Sequence, residues 1–428
     1  MKFINPAAEE LAVLRDDPLL SEQEFDDMPE VAAAVEKAAG MRAGRVYWRS
    51  DHDYLYGLEL ADLGKGRPSM ATVYGFRDRY EPRPPEHEIE ADLIDFLLWL
   101  AEIAEGIEGE NIKKLIGLAK KYGRCNTGWP EGSVLRTPED RFLNLPGFDY
   151  EPHYMEIEGL RMAYVEKGAG DPILMLHGEP TWGYLYRKMI PPLAEIGRVI
   201  VPDQIGFGRS DKPVEINAYS YKSFARWMRK FILALDLSRI TLVCQDWGGL
   251  IGLRVLSQIP ERFGRLVAMS TGIPYGKGAG SNEGFLRWRH YAQRQNYMDV
   301  PEVMQSYSDR CALSEGEQAA YRAPFPSAEY QAGAFTWPRL VPIRINHPGN
   351  YDNYAAVKVL KTLDIPVFLP WGDRDPLKEG EGALRNIFKH CAPPQPIADT
   401  GHYIQESSGE EVADHIRKWI MKTPLAKR

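Results

Sequence analysis

Apolar and polar positions change period twice along this chain. In the first third, Asn5-Pro6 ahead of Glu9 and Glu10 reads as a helix start with proline at the first helical position. Met28 to Ala39 is an alanine-rich helical stretch ending at Gly40, a residue suited to the position just past a helix. Then short, aromatic-rich runs follow at Arg45 to Arg49, Tyr54 to Leu60 and Met70 to Phe76, with Gly64-Lys65-Gly66 in a turn. They predict three strands of a small antiparallel sheet. The proline-rich Arg77 to Glu88 leads into a helix at Ile89 to Ile107 and a basic one at Asn111 to Tyr122. The first of these helices is apolar on nearly every face. It must be buried against the sheet, against the rest of the chain, or against a second copy in self-association.

From Val134 the pattern becomes alternating strand and helix. Thr137-Pro138-Glu139-Asp140 is a helix start, and Tyr154 to Ile157 with Leu160 to Val165 form a hairpin around Glu158-Gly159. Strands are predicted at Ile173–Leu176, Val199–Pro202, Ile240–Cys244 and Leu266–Met269, with helices at Trp182–Ala194, Ser223–Leu235 and Leu250–Ile259 between them. After Met269 the alternation stops. It resumes with Pro366–Trp371, a helix at Gly380–His390, a short strand at Pro396-Ile397 and a final helix, Glu410–Met421. Such alternation implies an α/β fold with a mostly parallel sheet covered on both faces. Tyr275 to about Ala356 is helical and proline-rich without a sheet pattern, which predicts a cap inserted after the sixth strand. The expected division is a small α+β accessory domain over 1–133 and an α/β domain with its cap over 134–428.

Composition narrows the partners. A net charge of −8 over 428 residues argues against nucleic acid and against an anionic membrane surface. No apolar stretch is long enough to span a bilayer, and Met1 to Leu14 lacks the apolar core of a signal peptide. Cys125, Cys244, Cys311 and Cys391 follow neither disulfide-framework nor metal-ligand spacing, so the expectation is a reducing, cytoplasmic compartment.

The chemistry gathers at Gln245-Asp246-Trp247-Gly248-Gly249, between a buried strand and a helix. A strand, a tight turn with small neighbours and a helix make a nucleophile elbow, usually centred on serine. Here the centre is Asp246, an anion that needs no base to attack saturated carbon and that leaves an ester. His177-Gly178-Glu179-Pro180-Thr181-Trp182 follows the third strand, and the amides of Glu179 and Trp247 would form an oxyanion hole. His402, after the last strand, stands where this fold places its base. The acid lies in Gly372-Asp373-Arg374-Asp375, and Asp375 is preferred to Asp373 because it is farther from the strand end.

Residues 134–428 resemble the haloalkane dehalogenases of the α/β-hydrolase superfamily. HGEPTW at 177–182, Pro202-Asp203, Gly206-Phe207-Gly208-Arg209-Ser210-Asp211-Lys212-Pro213, the elbow and Gly401-His402 all match in order and spacing. The resemblance implies halide held between two N–H donors, one of them the indole of Trp247. One subfamily takes its second donor from Asn after His-Gly and its acid after the sixth strand. This chain has Glu179 at the first place and Ser270-Thr271-Gly272 at the second, which points to the subfamily with a cap tryptophan. Gly284-Phe285-Leu286-Arg287-Trp288 and Ala323-Pro324-Phe325-Pro326 resemble that subfamily's cap. Trp288 is then the halide donor, with Trp337 in reserve, and Trp182, Phe285, Phe325 and Pro326 line the pocket. The implied activity is detoxification of small halogenated hydrocarbons without metal or organic cofactor. Three rivals stay open: an epoxide hydrolase using cap tyrosines, a haloacetate dehalogenase using Arg187 and Lys188, and a catalytically inactive scaffold. The first third resembles no family.

Overall fold

The structure is a computed structural model. It describes strand segments Ser21–Gln23, Arg42–Trp48, Leu58–Ala61 and Pro68–Ala71, and then residues 129, 132–275, 283–292, 294–307, 311–342 and 348–425. The chain divides into two units, Met1–Gly128 with Arg344–Tyr351, and Trp129–Ile343 with Asp352–Arg428.

In the first unit the four segments pair in chain order as an antiparallel sheet. Three of them overlap the predicted strands with shifted ends. The edge segment Ser21–Gln23 was not predicted, because Ser-Glu-Gln carries no β pattern. The helices expected at 5–10, 28–39, 89–107 and 111–122 lie outside the described residues.

In the second unit, eight strands form one sheet: β1 (His153–Ile157), β2 (Leu160–Lys167), β3 (Pro172–Leu176), β4 (Arg198–Pro202), β5 (Ile240–Gln245), β6 (Phe263–Met269), β7 (Pro366–Phe368) and β8 (His390–Cys391). Their order is β1-β2-β4-β3-β5-β6-β7-β8. Only β2 runs against the direction of the other seven strands, so the mostly parallel sheet predicted from strand–helix alternation is present. The central β5 is buried at every position, as a strand covered on both faces must be. Its register decides where the chemistry lies. Cys244 pairs with Leu176 of β3, and Gln245 with Met269 of β6. The residues that follow, His177-Gly178-Glu179, Asp246-Trp247 and Ser270-Thr271, therefore emerge side by side at one end of the sheet. Beyond Leu369 the β7 chain continues as Pro370–Gly372, paired with Gln395–Ile397, and delivers Asp375 and His402 to the same end.

The helices are α1 (Ile190–Ala194), α2 (Tyr221–Ala234), α3 (Trp247–Gln258), α4 (Glu283–Ala292), α5 (Val300–Ser306), α6 (Glu315–Arg322), α7 (Ala332–Leu340), α8 (Pro348–Leu360), α9 (Glu379–Arg385) and α10 (Ile404–Lys422). Helices α4 to α8 fall between β6 and β7. Three expectations shift. The helix predicted over 182–194 is split into a 3₁₀ turn at Gly183–Tyr186 and α1, because Pro191 and Pro192 lack N–H donors and fit only a first turn. Helix α10 begins six residues before the predicted Glu410 and is kinked at Ser408 (φ −142°), so periodicity reports only its second part. His390-Cys391 pairs as a two-residue strand where a helix end was predicted, too short to carry a pattern. Among the described residues no helix is long and apolar enough to cross a membrane.

Candidate active site

Asp246 sits at the turn between β5 and α3 with φ 51° and ψ −123°, outside the usual range for a residue with a side chain. Its neighbours have to be small. A Cβ on Gly178 would overlap the Asp246 side chain, and one on Gly248 would run into the backbone of Leu176. The strained backbone is held from β6: the Asp246 N–H donates to the Ser270 carbonyl (3.2 Å), and Thr271 Oγ1 donates to the Asp246 carbonyl (2.6 Å).

The two oxygens of Asp246 face different partners. Oδ1 accepts the Glu179 backbone N–H at 2.7 Å, and the Trp247 amide is directed at the same carboxylate. Oδ2 lies 3.7 Å from His402 Nε2. Burial raises the proton affinity of Asp246; the His402 ring and the two amides offset part of that rise. His402 is also shifted upward. Burial alone would lower it, but Asp375 and the Asp246 charge outweigh that.

Asp375 is buried, with Oδ1 accepting the Leu377 N–H at 2.8 Å and standing 3.9 Å from His402 Nδ1. Asp373 is exposed and accepts the Thr400 N–H instead. The nearest oxygen to His402 Nδ1 is Ser270 Oγ, at 2.5 Å, a contact that no motif announced. Gln245 Nε2 lies 3.0 Å from His402 Nε2, and the His402 N–H donates to the Tyr307 carbonyl in the loop after α5. Tyr403 was also missed; its hydroxyl donates to the Glu179 carbonyl and braces the turn that carries that amide.

Burial favours the neutral form of two titratable groups beside Asp246. Burial pushes His177 down to about 3; its Nε2 accepts the Gln204 N–H and its Nδ1 faces the Gly178 carbonyl, so it shapes the loop rather than moving protons. The Glu179 carboxyl is buried without a hydrogen-bond partner among the described residues. Burial and the Asp246 charge hold its proton well above the usual carboxylate range.

Aromatic rings pack around Trp247, the residue beside Asp246. Trp337 of α7 stacks on Trp247 (centroids 5.4 Å, 10° between planes) and on Phe207 (4.0 Å), and Phe325 meets Phe207 edge-on. Trp337 Nε1 is buried and has no hydrogen-bond partner among the described residues. Trp288, on α4, is half-buried and packs against Tyr291 and Tyr307. The expected pocket residues scatter. Phe285 and Phe325 pack against the core. Trp182 instead donates its indole N–H to the Ala320 carbonyl and packs among Phe142, Phe148 and Tyr184, a brace beneath the cap. Pro326 is exposed, because Phe325 takes the inward place at the turn after α6. Arg187 and Lys188, considered as carboxylate binders, are both ion-paired with Glu406.

Comparison with known proteins adds the rest. A family model described as alpha/beta hydrolase fold matches residues 171–408. A haloalkane dehalogenase of Psychrobacter cryohalolentis is 40% identical over 302 residues, 68% of this chain and 99% of that protein. The chain belongs to the haloalkane dehalogenases. A second haloalkane dehalogenase, from Mycobacterium marinum, is 41% identical over 298 residues, 67% of this chain and 99% of its own. Among solved structures, the tetrameric haloalkane dehalogenase DpaA from Paraglaciecola agarilytica NO2 superposes with a TM-score of 0.62 at 36% identity, over 66% of this chain and 97% of that one.

Proposed function

We propose that this haloalkane dehalogenase hydrolyses small haloalkanes to alcohol and halide through an ester on Asp246. The observation that carries the mechanism is the division of labour between the two Asp246 oxygens. Oδ2 attacks carbon in line with the C–X bond, whose electron pair leaves with the halide. Oδ1, already held by the Glu179 amide, becomes the ester carbonyl and then the oxyanion. Water attacks the ester carbon while His402 Nε2 takes one of its protons; collapse passes that proton to the departing alcohol and leaves Asp246 as the acid, whose remaining water-derived proton is then lost to solvent to restore the carboxylate. The net change is haloalkane plus water to alcohol, halide and a proton. Charge grows on the halogen only as the bond breaks, so N–H donors placed there act selectively on the transition state.

Trp247 supplies one such donor and Trp288 the second. Trp337 is a poor partner for Trp247, because nearly parallel rings direct their N–H groups into parallel planes instead of at one point. Trp288 comes from another helix and packs on Tyr307, whose carbonyl binds the His402 amide. Trp288→Phe is expected to weaken bromide binding about tenfold or more, a loss typical of a charge-assisted hydrogen bond. Trp337→Phe is expected to leave it nearly unchanged. Bromide quenching of tryptophan fluorescence measures both, and the reverse result moves the donor to Trp337.

An epoxide hydrolase would need tyrosine hydroxyls converging on Asp246. The Tyr321 hydroxyl goes to Glu406 and that of Tyr297 to the Phe325 carbonyl, while Tyr291 is exposed. The deciding experiment is His402→Phe with 1-bromobutane. One equivalent of bromide should be released, turnover should fall about 10²–10⁴-fold, and intact mass should show a butyl group that maps to Asp246. An unmodified protein, or normal turnover, ends this reading.

The first unit is proposed to be a non-catalytic accessory that promotes self-association. Every group invoked above lies after residue 171. The free thiols of Cys244, Cys311 and Cys391 support a reducing, cytoplasmic setting.

A further inference from the structure

His402 Nδ1 has two oxygen neighbours, and the nearer is not a carboxylate. Ser270 Oγ is 2.5 Å away; Asp375 Oδ1, at 3.9 Å, is beyond direct hydrogen bonding. Ser270 is the first residue after β6, 2% exposed, and its backbone is left-handed at φ 42°, a conformation that favours glycine. A side chain stands there against the local preference. The same residue accepts the Asp246 N–H through its carbonyl, so it touches both nucleophile and base.

The other edge of the ring fixes the proton. Gln245 Nε2 lies 3.0 Å from His402 Nε2 and donates to the His402 carbonyl at 3.3 Å. The carbonyl contact orients the amide with its NH₂ toward the ring. Nε2 must then present a lone pair, and Nδ1 carries the proton.

We propose that Ser270 is a positioning residue for the base: its hydroxyl accepts the Nδ1–H of His402 and fixes the tautomer whose Nε2 lone pair faces Asp246. Asp375 then acts on the ring mainly as a buried charge. This inference rests on the ester mechanism above, in which only the hydrolysis step needs that lone pair. The hydroxyl is therefore irrelevant to C–X cleavage and important for release of the alcohol.

The test uses the full chain with ¹⁵N-labelled histidine, His402 being assigned by its absence in His402→Phe. Ser270→Ala removes the hydroxyl. Ser270→Gly also removes it while relieving the left-handed backbone, so it guards against a misfolded variant. Both are expected to shift the His402 Nδ1 and Nδ1–H resonances and leave the other histidines in place. In single turnover, halide release should keep its rate while ester hydrolysis slows about tenfold to a hundredfold, the cost of a misaligned catalytic group. Ser270→Gly should melt no lower than the parent, which a merely structural serine would not allow together with slowed hydrolysis. Unchanged His402 resonances, or hydrolysis at the parent rate, overturn the proposal. Failure of the parent chain to release halide from any haloalkane would instead overturn the mechanism, with the resonance shift still reporting on Ser270.

Discussion

Burial makes Asp246 hold a proton more tightly and the neighbouring His402 opposes that, whereas His402 holds its own proton more tightly because Asp375 and the Asp246 charge outweigh its burial. The base works only when neutral, and its upward shift places that requirement above the ordinary imidazole value of 6.5. As pH falls below the raised value of the resting enzyme and through the lower one that His402 takes once Asp246 is alkylated, ester hydrolysis should fail and alkylated enzyme should accumulate in the parent protein, visible by intact mass. Alkylation also removes the Asp246 charge that helped raise His402. The ring should then release a proton in the same phase as halide, although C–X cleavage itself releases none. Stopped-flow with a pH indicator near neutrality checks this; protons appearing only with the alcohol would contradict it. Sequence alone reached Asp246 because an elbow is local, five consecutive residues flanked by their own strand and helix signals. It could only lean toward Asp375, since two carboxylates two residues apart look alike until burial separates them. Ser270 was invisible, because a hydroxyl becomes a partner of His402 only through the register of β6 against β5.

At the scale of elements, a buried polar cluster ties together three segments that no local pattern connects. Arg187, after the HGEPTW turn, donates to both oxygens of Glu406 on α10 (2.5 and 2.7 Å) and to Glu317 on α6 (2.5 Å). Tyr321 of α6 completes it with a hydrogen bond to Glu406. Burial would raise Glu317, but its bonds to Ser314 and Arg187 bring it down to about 2; Glu406 is lowered in the same way. Arg187→Met should destabilise, though by less than the ~3–5 kcal/mol of a fully stranded buried charge because Lys188 still pairs with Glu406, and adding Glu406→Gln should recover part of that. Depressed carboxylates stabilise above their ordinary value of 4.5 and lose that contribution as pH falls through the lowered one. The melting-temperature gap between the parent and the double variant should therefore shrink in acid. A gap that does not change with pH would show that packing, not charge, holds these elements. Strands and helices of the α/β unit were legible because burial on two faces and on one face leave different periods. The kink at Ser408 was not, because it depends on what the neighbouring turn packs against; the split near Pro191 was signalled by the proline pair itself, which the apolar period over 182–194 masked.

The whole molecule is unequal: every residue of the proposed site lies in one unit, and the other leaves no chemical signature in the sequence. The boundary matters for any truncation. Val134–Leu135 pairs with Lys212–Pro213, Arg136 binds Asp211, and Trp129 donates to the Glu158 carbonyl at the β1–β2 turn. A fragment beginning at residue 129 should keep most of its turnover and lose any self-association seen by sedimentation of the full chain. A soluble, folded fragment without turnover would give the first unit a catalytic share. Connectivity within the catalytic unit has a consequence for biosynthesis. The nucleophile is made first, the five helices after β6 follow, and only then come Asp375 and His402, the latter just ahead of the last helix. A ribosome that has finished the elbow and the cap has therefore built the proposed nucleophile and its amide donors but neither the acid nor the base that would free it from an alkyl group.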